Sequence, residues 1–208
     1  MKIGIMGGTF DPIHNGHLHL AQTALTQFDL DQIWFMPNGM PPHKKQSSIE
    51  SDIHERIAMT QIAIKANKQF YLQEYEANRE KISYSYKTME HFRKMYPDDE
   101  FYFIIGADSL FSIETWKHPE RLFKACIILA ACRDEAATKE SLNGQIQMLK
   151  GKYGAYIKFL AMPLEHVSSH ENQKTYRIRR TCVRIHSGRS RSLHQKGRTV
   201  WIRKSKNQ

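Results

Sequence analysis

Residues 2–28 read KIGIMGGTFDPIHNGHLHLAQTALTQF and decide the fold. A short apolar run, two adjacent glycines and an apolar pattern of helical spacing predict a strand at 2–6, a loop, and a helix at 16–28. Glycines directly after a strand let the backbone approach a phosphate closely, and the N-terminus of the following helix offers unpaired N–H groups to an anion. The segment therefore predicts a nucleotide site at the end of the first strand.

The remainder of the chain repeats this alternation of strands and helices. Helices are expected from Asp52, which forms a capping pair with Glu55, to about Lys65, and at 84–96 and 140–149. We predict one α/β domain with a Rossmann-like, doubly wound parallel sheet, whose ligand crevice lies at the carboxyl ends of the strands. The further strands are expected at residues 33–37, 70–72, 101–105, 125–131 and 155–160.

The positive charge of the chain is concentrated at its end. The sequence has 31 Lys and Arg against 21 Asp and Glu, a formal net charge of +10. Residues 170–208 hold 12 of the basic residues and one acidic residue, Glu171, whereas residues 1–169 hold 19 basic and 20 acidic residues. The predicted domain, 1–169, is therefore close to neutral, and its composition gives no reason to expect a nucleic-acid partner.

Two further classes of protein are disfavoured by the composition. No apolar run approaches the roughly 20 residues that span a bilayer, and the first residues lack a signal-peptide pattern, so we expect a cytoplasmic protein without a membrane partner. Cys126, Cys132 and Cys182 show no C-x-x-C spacing. They predict buried free thiols instead of a disulfide framework or a zinc site.

The loop contains two histidines, His14 and His17, in an H-x-G-H arrangement. It is neither a P-loop nor a G-x-G-x-x-G fingerprint. Two imidazoles at a helix start can donate hydrogen bonds to phosphate oxygens that gain charge when phosphorus is attacked. A structural or metal-binding pair is the alternative, but no carboxylate follows at metal-ligand spacing.

Five ordered segments extend this signature and carry a resemblance. They are GGTFDPIHNGH (7–17), IWFMPNGMPPHK (33–44), ISYSYKT (82–88), FIIGADSLFSIETW (103–116) and HVSS (166–169). Together they resemble bacterial nicotinate-nucleotide adenylyltransferases, members of the nucleotidyltransferase superfamily with the H-x-G-H signature. The resemblance implies transfer of the adenylyl group of ATP to nicotinate mononucleotide, giving deamido-NAD and pyrophosphate in NAD biosynthesis. The transfer would be an in-line attack without a covalent enzyme intermediate.

On the ATP side, His14, His17 and Lys44 are the expected catalytic residues. Lys44 would be a mobile cation near the phosphates, and Asp108 would accept from ribose or help to organise Mg²⁺ that arrives with ATP. Taken alone, Lys44 could equally be a solvated charge in a loop. Asp108 taken alone could cap the helix that follows it. No protein side chain is assigned as a dedicated metal ligand. The residues assigned to ATP are Gly7, Gly8, Thr9, Phe10, His14, His17, Gly106, Asp108, Ser168 and Ser169.

On the acceptor side, the resemblance assigns Ser83, Tyr84 and Ser85 to the nicotinate carboxylate and Trp116 to stacking on the pyridine ring. Aromatic stacking and neutral donors suit a flat ring that bears a carboxylate. The family pattern S-Y-T-x-D-T is altered here, because Ser85 replaces threonine and Lys87 replaces aspartate. An ordinary helix N-cap at 83–85 and a packing role for Trp116 are the alternatives.

The segment after Ser169 departs from the family pattern S-S-[TS]-x-I-R. Read one nucleotide forward, the codons for residues 170–174 allow T-K-I-R, so we hypothesise a frameshift after Ser169. The alternative is a genuine basic extension that binds RNA, DNA or an acidic partner. Alternatives for the function are adenylyl transfer to nicotinamide mononucleotide or phosphopantetheine, or a catalytically impaired nucleotide binder. A homo-oligomer is compatible with all of these.

Overall fold

The computed structural model describes residues 1–39, 49, 51–79, 82–133 and 136–162. Its strands are β1 (Lys2–Gly8), β2 (Gln32–Pro37), β3 (Phe70–Leu72), β4 (Glu100–Gly106), β5 (Ile127–Arg133) and β6 (Ile157–Met162). Its α-helices are α1 (Asn15–Gln27), α2 (Ile53–Ile64), α3 (Ser85–Met95), α4 (Ala107–Ser112), α5 (Pro119–Ala125) and α6 (Ala136–Tyr153). A 3₁₀ helix at Ile113–Thr115 follows α4.

The strands form one parallel sheet in the order β3-β2-β1-β4-β5-β6. The chain runs outward from β1 to β3, then returns and continues on the other side of β1 from β4 to β6. The direction of strand order therefore reverses between β1 and β4. In open α/β sheets, such a switch point creates the crevice that receives ligands. The predicted doubly wound α/β architecture is confirmed.

The central strands are buried on both faces, which is why they read as continuous apolar runs. In β2, Trp34 and Met36 belong to a core on one face, and Ile33 and Phe35 belong to a core on the other. We call the first the α3 face, because residues of α3, α5 and α6 pack on it. The second is the α1 face, covered by α1 and α2. The result is a sheet between two helical layers.

Local interactions explain where individual helices begin and end. At the start of α2, the Asp52 Oδ1 atom accepts from the Glu55 N–H at 2.9 Å, and Glu55 Oε2 accepts from the Asp52 N–H at 3.2 Å. This confirms the predicted capping pair. At the end of α6, Gly154 has a φ of 64°, and its N–H donates to the Lys150 carbonyl at 2.9 Å. A glycine in this left-handed conformation terminates the helix without steric cost.

The region between β4 and β5 differs most from the sequence prediction. A strand was expected to begin at Ala125, but Ala125 is the last residue of α5, and β5 begins at Ile127. The prediction was wrong because Leu122, Phe123 and Ala125 together form an apolar helical surface that is buried in the core. The helices α4 and α5 were not predicted. The last helix, expected at 140–149, extends over Ala136–Tyr153.

Two further findings concern the described residues. Cys126 is a buried free thiol, as predicted, and burial raises its pKa. None of the described helices combines the length and the apolar character needed to cross a membrane.

Candidate active site

The crevice opens where β1 and β4 stop pairing. β1 pairs with β2 as far as Gly8 and Pro37, whereas its pairing with β4 runs from Lys2 and Glu100 to Ile5 and Phe103. The carboxyl ends of β1 and β4 therefore separate over their final residues. The loop that follows β1 and the helix that follows β4 lie on either side of this opening, at the position that the sequence predicted for the nucleotide.

The loop after β1 is shaped by the ring of Phe10. Phe10 has a φ of 48°, is 2% exposed and lies against Gly8, where an added Cβ would come within 2.8 Å of Phe10 Cε1. Gly8 is therefore required by the packing of Phe10 itself, in addition to any approach of a phosphate. An added Cβ at Gly7 would meet atoms only at ordinary contact distances, the nearest at 3.7 Å. The edge of the Phe10 ring in turn contacts His17, with centroids 5.1 Å apart.

His14 and His17 are brought together at the start of α1. His14 directly precedes the helix, and its N–H donates to His17 Nδ1 at 3.3 Å. An Nδ1 that accepts a hydrogen bond leaves the ring proton of a neutral histidine on Nε2. The Nδ1 atom of His14 is buried without a hydrogen-bond partner among the described residues. Burial also lowers the pKa of His14, which favours its neutral form.

Gly106 and Asp108 lie at the end of β4, on the other side of the opening. Gly106 is exposed, and an added Cβ there would meet nothing within 4 Å. Asp108 is exposed in the first turn of α4, which begins after Gly106 with no side-chain cap. Asp108 is therefore not the helix cap that the sequence offered as an alternative, although a carboxylate in the first turn stabilises a helix through its dipole. Neither residue is used by the core.

The predicted acceptor segment forms the start of α3. Tyr84 caps the helix, and its carbonyl accepts from the Lys87 N–H at 2.9 Å and the Thr88 N–H at 3.2 Å. Ser83 is 7% exposed, and its Oγ is buried without a partner within the described part of the chain. Ser85 is half-buried as the first helical residue. α3 thus begins within the segment 83–85, but its N-cap residue is Tyr84 and no side chain caps the helix, so the serines are not an ordinary N-cap.

Trp116 packs on the same face of the sheet as Tyr84. Its ring meets Phe103 of β4 edge-on, with centroids 6.4 Å apart and an interplanar angle of 80°. Trp116 and Tyr84 are partly buried and pack against the core of the α3 face. Phe10 and Ile13, which lie between β1 and α1, belong to the α1 face. The two groups of predicted site residues therefore reach the crevice from opposite faces of one sheet.

Comparison with known proteins assigns the chain to a family. A family model described as "Cytidylyltransferase-like" matches residues 5–180. The chain is 42% identical over 171 residues to "Probable nicotinate-nucleotide adenylyltransferase" of Clostridium kluyveri, with 81% of this chain and 84% of the relative covered. It is 43% identical over 168 residues to the protein of the same name from Carboxydothermus hydrogenoformans, covering 81% and 82%.

The chain belongs to the nicotinate-nucleotide adenylyltransferase family. A solved structure supports the same fold for this family member. Plasmodium falciparum nicotinic acid mononucleotide adenylyltransferase complexed with NaAD superposes with a TM-score of 0.65 and 21% identity, covering 83% of this chain and 82% of that one.

Not every predicted site residue of this adenylyltransferase can be placed. Lys44, Ser168 and Ser169 lie outside the described residues, as does the basic segment 170–208. The structure brings Gly7 and Gly8, which end β1, and the following Thr9 and Phe10 together with His14 and His17. It places Gly106 and Asp108 at the same end of the sheet, with Ser83, Tyr84, Ser85 and Trp116 on the α3 face.

Three buried ionisable residues near the crevice were given no role in the sequence analysis: Asp11, which is 7% exposed, and two that are buried more fully. Arg56 is 2% exposed and Glu76 is 4% exposed. Arg56 had a detectable signal, because Arg56, Thr60 and Ile64 are spaced four residues apart on the buried side of α2. Glu76 had none, since it lies in an irregular segment between β3 and α3.

Proposed function

We propose that this chain transfers the adenylyl group of ATP to nicotinate mononucleotide, giving deamido-NAD and pyrophosphate. The observation that carries the proposal is the stacked pair of His14 and His17, held at a helix start beside the opening between β1 and β4. Membership in the adenylyltransferase family supports the same reaction.

The reaction needs positioned donors and no enzyme nucleophile. An oxygen of the acceptor phosphate forms a bond to the α-phosphorus of ATP, and the bond from that phosphorus to the bridging oxygen of the β-phosphate breaks, releasing pyrophosphate. The Nε2 proton of His17 and the neutral ring of His14 would hydrogen-bond to phosphate oxygens as their charge increases. The N-terminus of α1 would add its partial positive charge.

The acceptor would lie on the α3 face. The N–H groups at the start of α3 would bind the nicotinate carboxylate, and Trp116 would stack on the pyridine ring. The Oγ of Ser83, which is buried and has no hydrogen-bond partner among the described residues, supplies a further hydrogen-bonding group at this position. Oriented in this way, the acceptor phosphate would approach ATP across the end of β1.

Mg²⁺ would enter with the triphosphate as its counter-ion. The described residues contain no group of three or more His, Cys, Asp or Glu side chains arranged to hold a metal. On a nucleotide, Mg²⁺ usually takes its ligands mainly from phosphate oxygens and water. When bound, it would neutralise charge on the pyrophosphate leaving group. Asp108, exposed at the crevice, is the carboxylate that would contact its hydration shell.

Pyrophosphate release tests the proposal. The full chain with ATP and Mg²⁺ is expected to release pyrophosphate with nicotinate mononucleotide and to do so more slowly with nicotinamide mononucleotide or phosphopantetheine. Faster release with either alternative acceptor would reassign the substrate. No release with any acceptor, despite measurable ATP binding, would overturn the proposal. A cytoplasmic location and a homo-oligomer remain predictions from the sequence.

A further inference from the structure

Arg56 and Glu76 are buried ionisable groups that the proposed reaction does not use. Burying a charge is costly unless hydrogen bonds and opposite charges compensate for it. The contacts of these two residues therefore indicate what each one holds in place. Both lie beside segments that carry predicted substrate contacts.

Arg56 ties together the segments that follow β1 and β2. One of its guanidinium nitrogens, Nη1, donates to the Thr9 carbonyl at 2.7 Å and to the Asn38 carbonyl at 2.9 Å. The Asn38 N–H also donates to the Gly8 carbonyl at 2.8 Å. Desolvation lowers the pKa of Arg56, but the carboxylates of Asp11 and Asp52 favour its charged form. Arg56 thus fixes the loop between β1 and α1, which we call the ATP loop, to the segment after β2.

The segment after β2 rests in turn on the segment that carries Glu76. An added Cβ at Gly39 would lie 2.5 Å from the Glu76 carbonyl oxygen and 3.4 Å from the Ala77 carbonyl oxygen. The two backbones therefore approach as closely as a glycine permits. Movement of one segment would displace the other.

The side chain of Glu76 completes the connection to the acceptor helix. Thr88 Oγ1 donates to Glu76 Oε1 at 2.7 Å, and both side chains are buried. Thr88 lies in the first turn of α3, and its N–H donates to the carbonyl of Tyr84. Desolvation raises the pKa of Glu76, while the hydrogen bond from Thr88 and the charge of Arg79 oppose that increase. Glu76 thus fixes the start of α3 to the segment between β3 and α3.

We propose that Arg56 and Glu76 are positioning residues that together set the spacing between the ATP loop and the acceptor helix. The contacts run from Thr9 through Arg56 to Asn38 and Gly39, and then through Glu76 to Thr88. Neither residue touches the reacting atoms. This inference rests on the proposed function, because spacing matters most when two bound substrates must meet in line. A displacement of about 1 Å can cost roughly 100-fold in rate without weakening the binding of either substrate.

Steady-state kinetics of the full chain test this role. We expect Arg56→Met and Thr88→Val to lower kcat by about tenfold or more, with KM for ATP and for nicotinate mononucleotide each changed by less than about threefold. Arg56→Lys and Glu76→Gln retain hydrogen-bonding groups and are expected to recover most of kcat. Thr60→Val is the matched control, because Thr60 is fully buried on α2 and donates to the Arg56 carbonyl without joining any loop.

The possible outcomes separate the inference from the proposed function. A wild-type chain that releases no pyrophosphate overturns the proposed function, and the positioning role falls with it. If the wild type is active, unchanged kcat in both Arg56→Met and Thr88→Val at equal thermal stability would overturn the positioning role alone. So would a selective increase in one KM, or an equal loss of kcat in Thr60→Val. If Arg56→Met does not fold, the kcat of Thr88→Val decides.

Discussion

The rings of His14 and His17 lie face to face, with centroids 3.7 Å apart and 27° between their planes. Removing either ring removes a donor that acts mainly when charge develops on the phosphates. His14→Ala and His17→Ala should each lower kcat by roughly 100-fold to 1,000-fold, with a smaller effect on the KM for ATP. Pyrophosphate release measures this. His54→Ala is the control, since His54 is exposed on α2; equal losses in all three variants would contradict the assignment.

Burial of His14 makes stability depend on pH. Its pKa is lowered below the ordinary value of 6.5, so just below pH 6.5 the unfolded chain binds a proton that the folded chain does not. The His14 contribution to stability is therefore lost as pH falls from about 6.5 toward the lowered pKa, by at most about 1.4 kcal/mol per pH unit. Urea unfolding should show that the free energy of unfolding of His14→Asn increases relative to that of the wild type as pH falls over this interval. A pH-independent difference would refute the burial effect.

At Gly106, a need for glycine in ATP binding can be measured separately from a need for glycine in packing. Because nothing in the protein lies within 4 Å of an added Cβ, Gly106→Ala should change the free energy of unfolding by less than about 1 kcal/mol. If a nucleotide contacts this backbone, kcat/KM for ATP should nevertheless fall about tenfold. Gly144→Ala, which also has open space but lies on α6, should leave kcat/KM unchanged. Equal activity of both variants would remove Gly106 from the ATP site.

Trp116 should control affinity for the acceptor. Stacking of a base or ring on an aromatic side chain contributes about 1–3 kcal/mol, so Trp116→Ala should raise the KM for nicotinate mononucleotide by about fivefold to 100-fold. Trp116→Phe preserves a stacking surface and should recover much of the loss. The KM for ATP should stay the same in both variants. An effect on ATP alone would place Trp116 on the other substrate.

The frameshift hypothesis is tested by the coding DNA. Codons CAC for His170, AAT for Asn172 and CAG for Gln173 would read, one nucleotide forward, as Thr, Ile and Arg within S-S-T-x-I-R. Codons CAT, AAC and CAA would read as Met, Thr and Lys and would exclude the hypothesis. In that case the 12 basic residues are a genuine extension, and electrophoretic mobility shifts with RNA and DNA at increasing salt become the appropriate measurement.

Local patterns predicted the parts of the fold that local interactions determine. The run from Lys2 to Met6 and the Asp52–Glu55 pair each gave the correct element, because strand and cap depend on adjacent residues. Gly7 and Gly8 were expected in the loop, but they are the last two residues of β1. Ala125 was misassigned because the apolar residues around it fit either a buried strand or a short buried helix. Periodicity alone cannot distinguish a short buried helix from a buried strand.

Contacts between distant segments could not be predicted in this way. The sequence showed that Arg56, Thr60 and Ile64 are spaced four residues apart. It did not show that the Arg56 guanidinium joins the loops after two different strands. Glu76 accepts a hydrogen bond from Thr88, 12 residues further along the chain, and its burial has no periodic signature. The residues that form the candidate site were therefore identifiable by motif, whereas those that support it required the sheet order.

The arrangement of the site on two faces of one sheet has an evolutionary consequence. The loop between β1 and α1 packs with α1 and α2, whereas the proposed acceptor residues, including Trp116, pack on the α3 face. A change of acceptor can thus arise from substitutions in one helical layer while the other layer keeps the adenylyl-transfer chemistry. We expect diversification of acceptor choice to be concentrated on the α3 side, with the histidine layer retained as a common module.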